Sequence, residues 1–274
     1  MTIVTCLKKF ALVSIFISIF ALLGCNDVMY TSRSRALLIP EDKMMQMGEE
    51  SYKEIKATSD IITSGSDWQE IMLVGNRLVK AADESLQDMN MQDRSKYFDW
   101  EFCLIKNDAV INAFCLPGGK IAVYSGIMHV AKGEAQLAVV MAHEIAHALA
   151  QHGNERMSQE LLVSMGSDLL NKAIEKNSPE IKNAYNTVYG LGSSVIVLLP
   201  YSRLQETEAD RIGLILMARA GYNPEAAIYF WDAMNKAGTA KIPEFLSTHP
   251  SDTTRMEDIK KFIPEAMKYY KAVS

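Results

Sequence analysis

The sequence predicts an α+β fold, mostly helical, in which a small antiparallel sheet precedes one central helix inside a single domain. Three observations carry this expectation. From Glu41 to Ser274 there is no internal repeat, low-complexity tract or Pro/Gly-rich linker, and the length suits one domain with a full core. Helix-favouring stretches with recognisable starts recur along most of that span. Strand-favouring apolar and aromatic residues are concentrated between 98 and 125, broken by turn signals.

In chain order, the N-terminus comes first. Lys8 and Lys9 precede an apolar run, Phe10 to Leu23, that is too short to span a bilayer comfortably, the pattern of an export signal. The run closes at Leu22-Leu23-Gly24-Cys25, which resembles a bacterial lipobox. Residues 1–24 are therefore expected to be a lipoprotein signal peptide, cleaved with acylation of the Cys25 thiol, and residues 25–40 a lipid-anchored tether. Loss of residues 1–24 removes two lysines and no acid, taking the net charge from −5 to −7, which argues against a nucleic-acid partner. No later stretch approaches eighteen apolar residues, and Val195-Ile196-Val197-Leu198-Leu199 is far too short to cross a membrane.

Within 41–274, helices are expected at 41–57, 67–86, 133–151, 155–176, 203–220, 224–237 and 253–270. Strands are expected at 98–105, 109–115 and 120–125, separated by Lys106-Asn107-Asp108 and Pro117-Gly118-Gly119, a meander leading into the helix at 133. The edge of such a sheet can add an extended peptide through backbone hydrogen bonds, whatever its side chains. Cys103 and Cys115, on two of these strands, would either bridge in an oxidising compartment or lie as two small buried thiols.

The chemistry concentrates at His143-Glu144-Ile145-Ala146-His147. The segment Gly133 to Gln151 has no Pro and no internal Gly, so it favours helix, and Gly153 supplies a stop. Residues i and i+4 share a helix face, so His143 and His147 can bind one tetrahedral zinc ion while Glu144 stands beside its open position. A catalytic zinc needs a third protein ligand. The local spacing for a third His is absent, since Ala150 and Gly153 stand where Gly and His would be required. On a continuous helix His152 lies about 180° from His143 and would cap or pack, and His129 is likewise read as structural. Farther on, Glu206 and Asp210 share a face of the helix opened by Ser202-Arg203, so Glu206 can bind the ion while Asp210 orients a ligating His.

At this point the chain resembles the gluzincin zinc metallopeptidases related to HtpX and the CAAX prenyl proteases, especially their periplasmic lipoprotein and mitochondrial stress-protease branch. The resemblance rests on Asn112-Ala113-Phe114 with Pro117-Gly118-Gly119, on His143 to His147 followed by His152-Gly153, on Ser202-Arg203 with Glu206 and Glu208-Ala209-Asp210, and on Ser247-Thr248-His249-Pro250 with Arg255. It implies a zincin-like fold holding one zinc ion per chain, with Glu206 as third ligand and Asp210 in support. It implies that 112–125, with Asn112, Ala113, Phe114, Gly118 and Gly119, forms the substrate-binding edge. His249 is implied to approach the site, either stabilising the oxyanion or filling the ion's open position at rest; Arg255 supports the site and is a further candidate oxyanion donor. Several relatives carry the peptidase between transmembrane helices, which this chain lacks, so processing of prenylated proteins is not implied. The expected activity is zinc-dependent endopeptidase action, with Glu144 as general base, on misfolded or unassembled envelope proteins at the periplasmic face of the outer membrane. The competing expectation is a chaperone-like or binding lipoprotein with a mostly latent zinc site, for which an intact Glu144 has no chemical use.

Overall fold

The computed structural model describes residues 26–173, 179–189, 202–238, 243–249 and 253–271. The expected signal peptide, Cys25 and the apolar run at 195–199 lie outside them. The chain opens with a two-residue pairing, β1 (Asn26–Asp27) with β2 (Ser34–Arg35). Helices α1 (Glu41–Thr58) and α2 (Ser66–Asp88) flank β3 (Ile61–Ile62). Then come β4 (Glu101–Ile105), β5 (Ala113–Leu116) and β6 (Lys120–Tyr124), the expected three strands, each a little shorter than the sequence suggested. Helices α3 (Gly133–Leu149), α4 (His152–Ala173), α5 (Pro179–Tyr189), α6 (Arg203–Arg219), α7 (Ala226–Ala237), α8 (Glu244–Thr248) and α9 (Thr253–Ala266) complete the described elements. Of these, α5 and α8 were not expected from the sequence.

The sheet differs from a simple antiparallel meander. Its order is β3-β4-β6-β5, with β4 and β6 parallel and the other two pairings antiparallel. The turn at 117–119 makes the hairpin from β5 to β6, with Gly118 and Gly119 at φ +83° and +80°, where a side chain is strained. A Cβ on Gly119 would also stand 2.6 Å from the Trp100 ring. By contrast, the break at 106–108 is no hairpin: β6 inserts between β4 and β5, so the connection from β4 must reach past it to the edge.

That topology decides the cysteines. Cys103 and Phe114 are both paired with Ala122, whereas Cys115 is paired with Ile121. Because successive side chains alternate, Cys103 and Cys115 face opposite sides of the sheet on strands that are not neighbours. Both are free and buried, so the bridge is excluded and the two-thiol alternative holds.

Both sheet faces are covered. Phe114, Ala122 and Cys103 pack with Met44, Met47, Tyr52 and Ile55 of α1 and with α5. On the other face, Leu104, Ala113, Ile121 and Val123 join α2, α3, α6 and α7 in the larger core. Helix α3 runs through its centre and is buried nearly all round from Leu137 to Leu149, so its polar residues are committed to internal partners. Antiparallel to it lies α6, which begins with a capping box in which Ser202 and Gln205 exchange hydrogen bonds. Where the two helices cross, a Cβ on Gly213 would come 3.1 Å from the backbone nitrogen of His143. Residues 26–40, expected to be a tether, are packed: Val28 and Met29 are in the large core, and Arg35, Leu38 and Ile39 are buried. Among the described residues, no helix is long and apolar enough to cross a membrane.

Candidate metal centre

Helix α3 presents His143 and His147 one turn apart, and α6 faces them with Glu206 one turn before Asp210. The Nε2 atoms of the two histidines lie 3.0 Å apart. Glu206 Oε1 is 3.3 Å from His147 Nε2, and Glu206 Oε2 is 3.4 Å from His143 Nε2. His249, at the C-terminal end of α8, brings its Nδ1 to 3.1 Å from His143 Nε2 and 3.0 Å from Glu206 Oε1. Donor atoms around one tetrahedral ion at 2.0–2.2 Å are separated by about 3.3–3.6 Å. The four side chains therefore form a donor set of nearly the right span, and all four are buried. The sequence-stated triad is brought together, and His249 joins it at the fourth corner through Nδ1. Its ring is stacked on Phe245, with centroids 4.6 Å apart.

The carboxylates around the donor set are tied down. Asp210 Oδ1 is 3.0 Å from His143 Nδ1, so it holds the face of that ring turned away from the cluster. Arg255 donates from Nε and Nη2 to Asp210 at 2.7 and 2.8 Å, and its Nη1 reaches Glu206 Oε2 at 2.7 Å. Its guanidinium also lies over Trp231, 3.8 Å from the ring centroid. Arg255 is thus committed to two carboxylates and supports the site rather than standing ready as an oxyanion donor. Burial would push Glu206 and Asp210 up, but their neighbours outweigh it: His249, Arg255 and His143 hold Glu206 well below the ordinary value, and Arg255 and His143 lower Asp210. Burial likewise opposes the His143 imidazolium, yet Glu206 and Asp210 raise its pKa to about 9, whereas burial wins at His147 and holds it well below normal. Burial raises the pKa of Glu144.

Glu144 has no place in the donor set. It is buried, its Oε1 has no hydrogen-bond partner, and His249 Nε2 is 3.3 Å from that atom. The backbone of Cys115 on β5 works the other way, lowering the Glu144 pKa against the rise that burial imposes. Tyr124 donates to the carbonyl of Asn112, which fixes the ladder so that the backbone groups of Ala113 and Cys115 point away from β6, toward the free edge. Asn112 itself is buried and its Oδ1 accepts from the Ala113 amide. Phe114 turns into the core beneath the sheet, so any peptide on this edge would meet backbone rather than that ring. Gly118 and Leu116 line a small cleft together with His147, Met44 and Phe98.

One expectation fails outright. His152 does not point away from the site, because α3 ends at Leu149 and Gln151 adopts φ +54°, so the chain reverses before α4 begins at His152. The new helix returns the imidazole to His147, with their Nδ1 atoms 2.9 Å apart. A 100° step applied through that break gave the wrong face. His129, read as structural, lies away from the donor set, exposed and 3.9 Å from Asp108. Among the described residues the other acidic grouping, Glu49 with Asp99 and Glu101, is filled by the buried Lys120 ammonium, 2.7 to 3.1 Å from each carboxylate.

Ligand atoms drawn from helices around a buried hollow, with a carboxylate left over and a strand edge running past it, meet the needs of a metallopeptidase, and the fold and site define that class. Comparison with known proteins narrows it: the pattern of peptidase family M48 matches residues 75–263, and the chain belongs to that family. The mitochondrial metalloendopeptidase OMA1 of Saccharomyces cerevisiae is 32% identical over 268 residues, which cover 90% of this chain and 74% of that protein. The protein of the same name from Arabidopsis thaliana is 30% identical over 86% of this chain and 45% of its own length. The beta-barrel assembly-enhancing protease of Escherichia coli is 30% identical over 85% of this chain and 46% of its own length. The chain thus spans about half the length of the last two.

Proposed function

We propose that this chain is a zinc-dependent endopeptidase of envelope protein quality control, lipid-anchored through Cys25 at the periplasmic face of the outer membrane. One zinc ion would be held by His143 Nε2, His147 Nε2 and Glu206, with His249 Nδ1 in the remaining position at rest. Bound there, zinc would supply Lewis-acid polarisation of the scissile carbonyl and bring the pKa of a water toward about 7. Glu144, buried and aimed at the same hollow, takes the proton of the attacking water and delivers it to the leaving amine. Asp210 keeps His143 oriented, and Arg255 keeps Glu206 and Asp210 in place. The peptide lies along β5, pairing with the outward-facing backbone of Ala113 and Cys115, with Asn112 and the Gly118-Gly119 turn framing the edge. Backbone recognition suits misfolded or unassembled proteins, and the similarity to the beta-barrel assembly-enhancing protease of Escherichia coli supports a substrate concerned with β-barrel assembly.

The observation that carries this reading is Glu144: a buried carboxylate outside the donor set, with its Oε1 3.3 Å from Nε2 of the His249 ring that joins that set. A binding or chaperone-like lipoprotein is the second reading, favoured by His249, whose Nδ1 completes a four-membered donor set. The experiment is Glu144→Gln in purified protein, with zinc content and casein cleavage measured together. Retained stoichiometric zinc with cleavage lowered by roughly 10²–10⁴-fold is expected; unchanged cleavage would remove the general base. Glu206→Ala should lose zinc and cleavage together.

A further inference from the structure

We propose that Arg33, Glu208 and His152 form a positioning relay for His147, so that seating of the N-terminal segment sets how tightly the metal is held. The inference rests on the reading above that His147 binds the ion through Nε2. An imidazole bound through Nε2 carries its proton on Nδ1 and donates it outward. The recipient is His152 Nδ1, at 2.9 Å. His152 must then carry its own proton on Nε2, which faces Glu208 Oε2 at 3.2 Å. One carboxylate thus fixes the tautomer and rotation of His152, and through it those of His147.

Glu208 is in turn held from outside the catalytic helices. Arg33 donates to it from Nε and Nη2, both at 2.8 Å, and Thr31 Oγ1 adds a bond at 3.1 Å. The same guanidinium grips Glu155 of α4 with Nη1 and Nη2 at 2.5 and 2.8 Å, and Gln205 Nε2 donates to Glu155 at 2.9 Å. His152, Glu155 and Glu208 are all buried. A planar fork joining two carboxylates is a demand that Arg meets and Lys does not. Arg33 sits beside β2, on a segment fixed by Val28 and Met29 in the core. Withdrawal of that segment would leave Glu208 and Glu155 as neighbouring buried carboxylates without their cation, and Glu208 could then no longer hold His152 in register.

The relay is tested on the full chain by zinc competition against a chromophoric chelator, with casein turnover measured separately. His152→Leu should raise the zinc Kd by roughly 10–100-fold. His152→Gln keeps an acceptor for His147 and a donor for Glu208, and should recover all but about threefold of that loss. Arg33→Ala and Arg33→Lys should both weaken zinc binding, the second because it keeps the charge without the fork; it also serves if the Ala variant does not fold. Adding Arg33→Ala to His152→Leu should cost nothing more, as expected for groups acting in series. Arg211→Ala, which breaks the remote pair with Glu265, should leave zinc binding unchanged. A folded His152→Leu with wild-type affinity, or a His152→Gln as weak as the Leu variant, would overturn the relay. Wild-type affinity in both Arg33 variants would overturn its link to the N-terminal segment. A wild-type chain that takes up no zinc would instead remove the metallopeptidase reading itself.

Discussion

Asp210→Asn separates charge from shape in the buried centre. Asp210 is 7% exposed and receives two bonds from Arg255, at 2.7 and 2.8 Å, while facing His143 Nδ1 at 3.0 Å. Asparagine has nearly the same volume, so the substitution opens no cavity; it removes the negative charge and turns one accepting oxygen into an NH2 donor. Arg255, 6% exposed, is then left with Glu206 as its carboxylate partner at 2.7 Å. Removing one partner of a buried ion pair costs roughly 3–5 kcal/mol. In a domain of this size each kcal/mol moves the melting temperature by about 2–4 °C, so the metal-free protein should melt roughly 6–20 °C lower. Zinc affinity should fall by a further 10–100-fold or so, because His143 loses its charged acceptor. Calorimetry in the presence of chelator reads the first effect, and zinc competition reads the second. Glu144→Gln is the comparator: it neutralises an equally buried carboxylate whose pKa is already raised by burial, so its metal-free melt should match or exceed that of the wild type. A metal-free Asp210→Asn melting within about 2 °C of the wild type would refute the charge accounting. Lower stability with undiminished zinc affinity would refute the orienting role.

His249→Ala should raise basal casein cleavage, because it vacates the fourth corner of the donor set; a fall in kcat of about 10²-fold would assign the imidazole to the oxyanion instead. Glu49 and Glu101 have carboxyls held below the usual range, chiefly by hydrogen bonds to lysines, Lys53 and Lys120 for the first and Lys120 for the second. Their contribution to stability is therefore complete above the unfolded value near 4.3 and is lost as pH falls below it. Lys120→Met should flatten that acid limb of the melting curve, and a limb as steep as the wild type would place the lability elsewhere. Cys103 and Cys115 should both alkylate in denatured, unreduced protein, with no two-proton mass deficit; a deficit that reductant abolishes would restore the disulfide.

The extent of sequence legibility follows physical range. Positions fixed by local periodicity were readable: the i, i+4 pair on α3, the i, i+4 acids on α6, and the glycines of the 117–119 turn. Glu206 could be proposed as a ligand because it shares a helix face with Asp210 and stands in a stretch that resembles the family's pattern, although its distance from His147 is a tertiary fact. The strand order was not readable, since no local signal says that β6 slips between β4 and β5, and so the choice between a cysteine bridge and two buried thiols stayed open until the order was known. His152 was misplaced because two residues, Ala150 and Gln151, end a helix without a Gly or Pro to announce it. Its partner Glu208 stands in a quoted motif, yet its role depends on Arg33, which lies 175 residues away.

The contact at Gly213 has a bearing on tolerance to change. With no side chain between them, α6 and α3 meet main chain to main chain, so the gap across which Glu206 faces the two histidines is gauged by backbone atoms. Side-chain substitution elsewhere along these helices can reshape the surrounding packing without resetting that gauge. A methyl group at 213 would act as a shim, 3.1 Å from the His143 nitrogen, so that the two helices would have to give by a few tenths of an ångström about two turns from Glu206. The coordination span is therefore a property of how closely two helices can touch, and one absent side chain sets it.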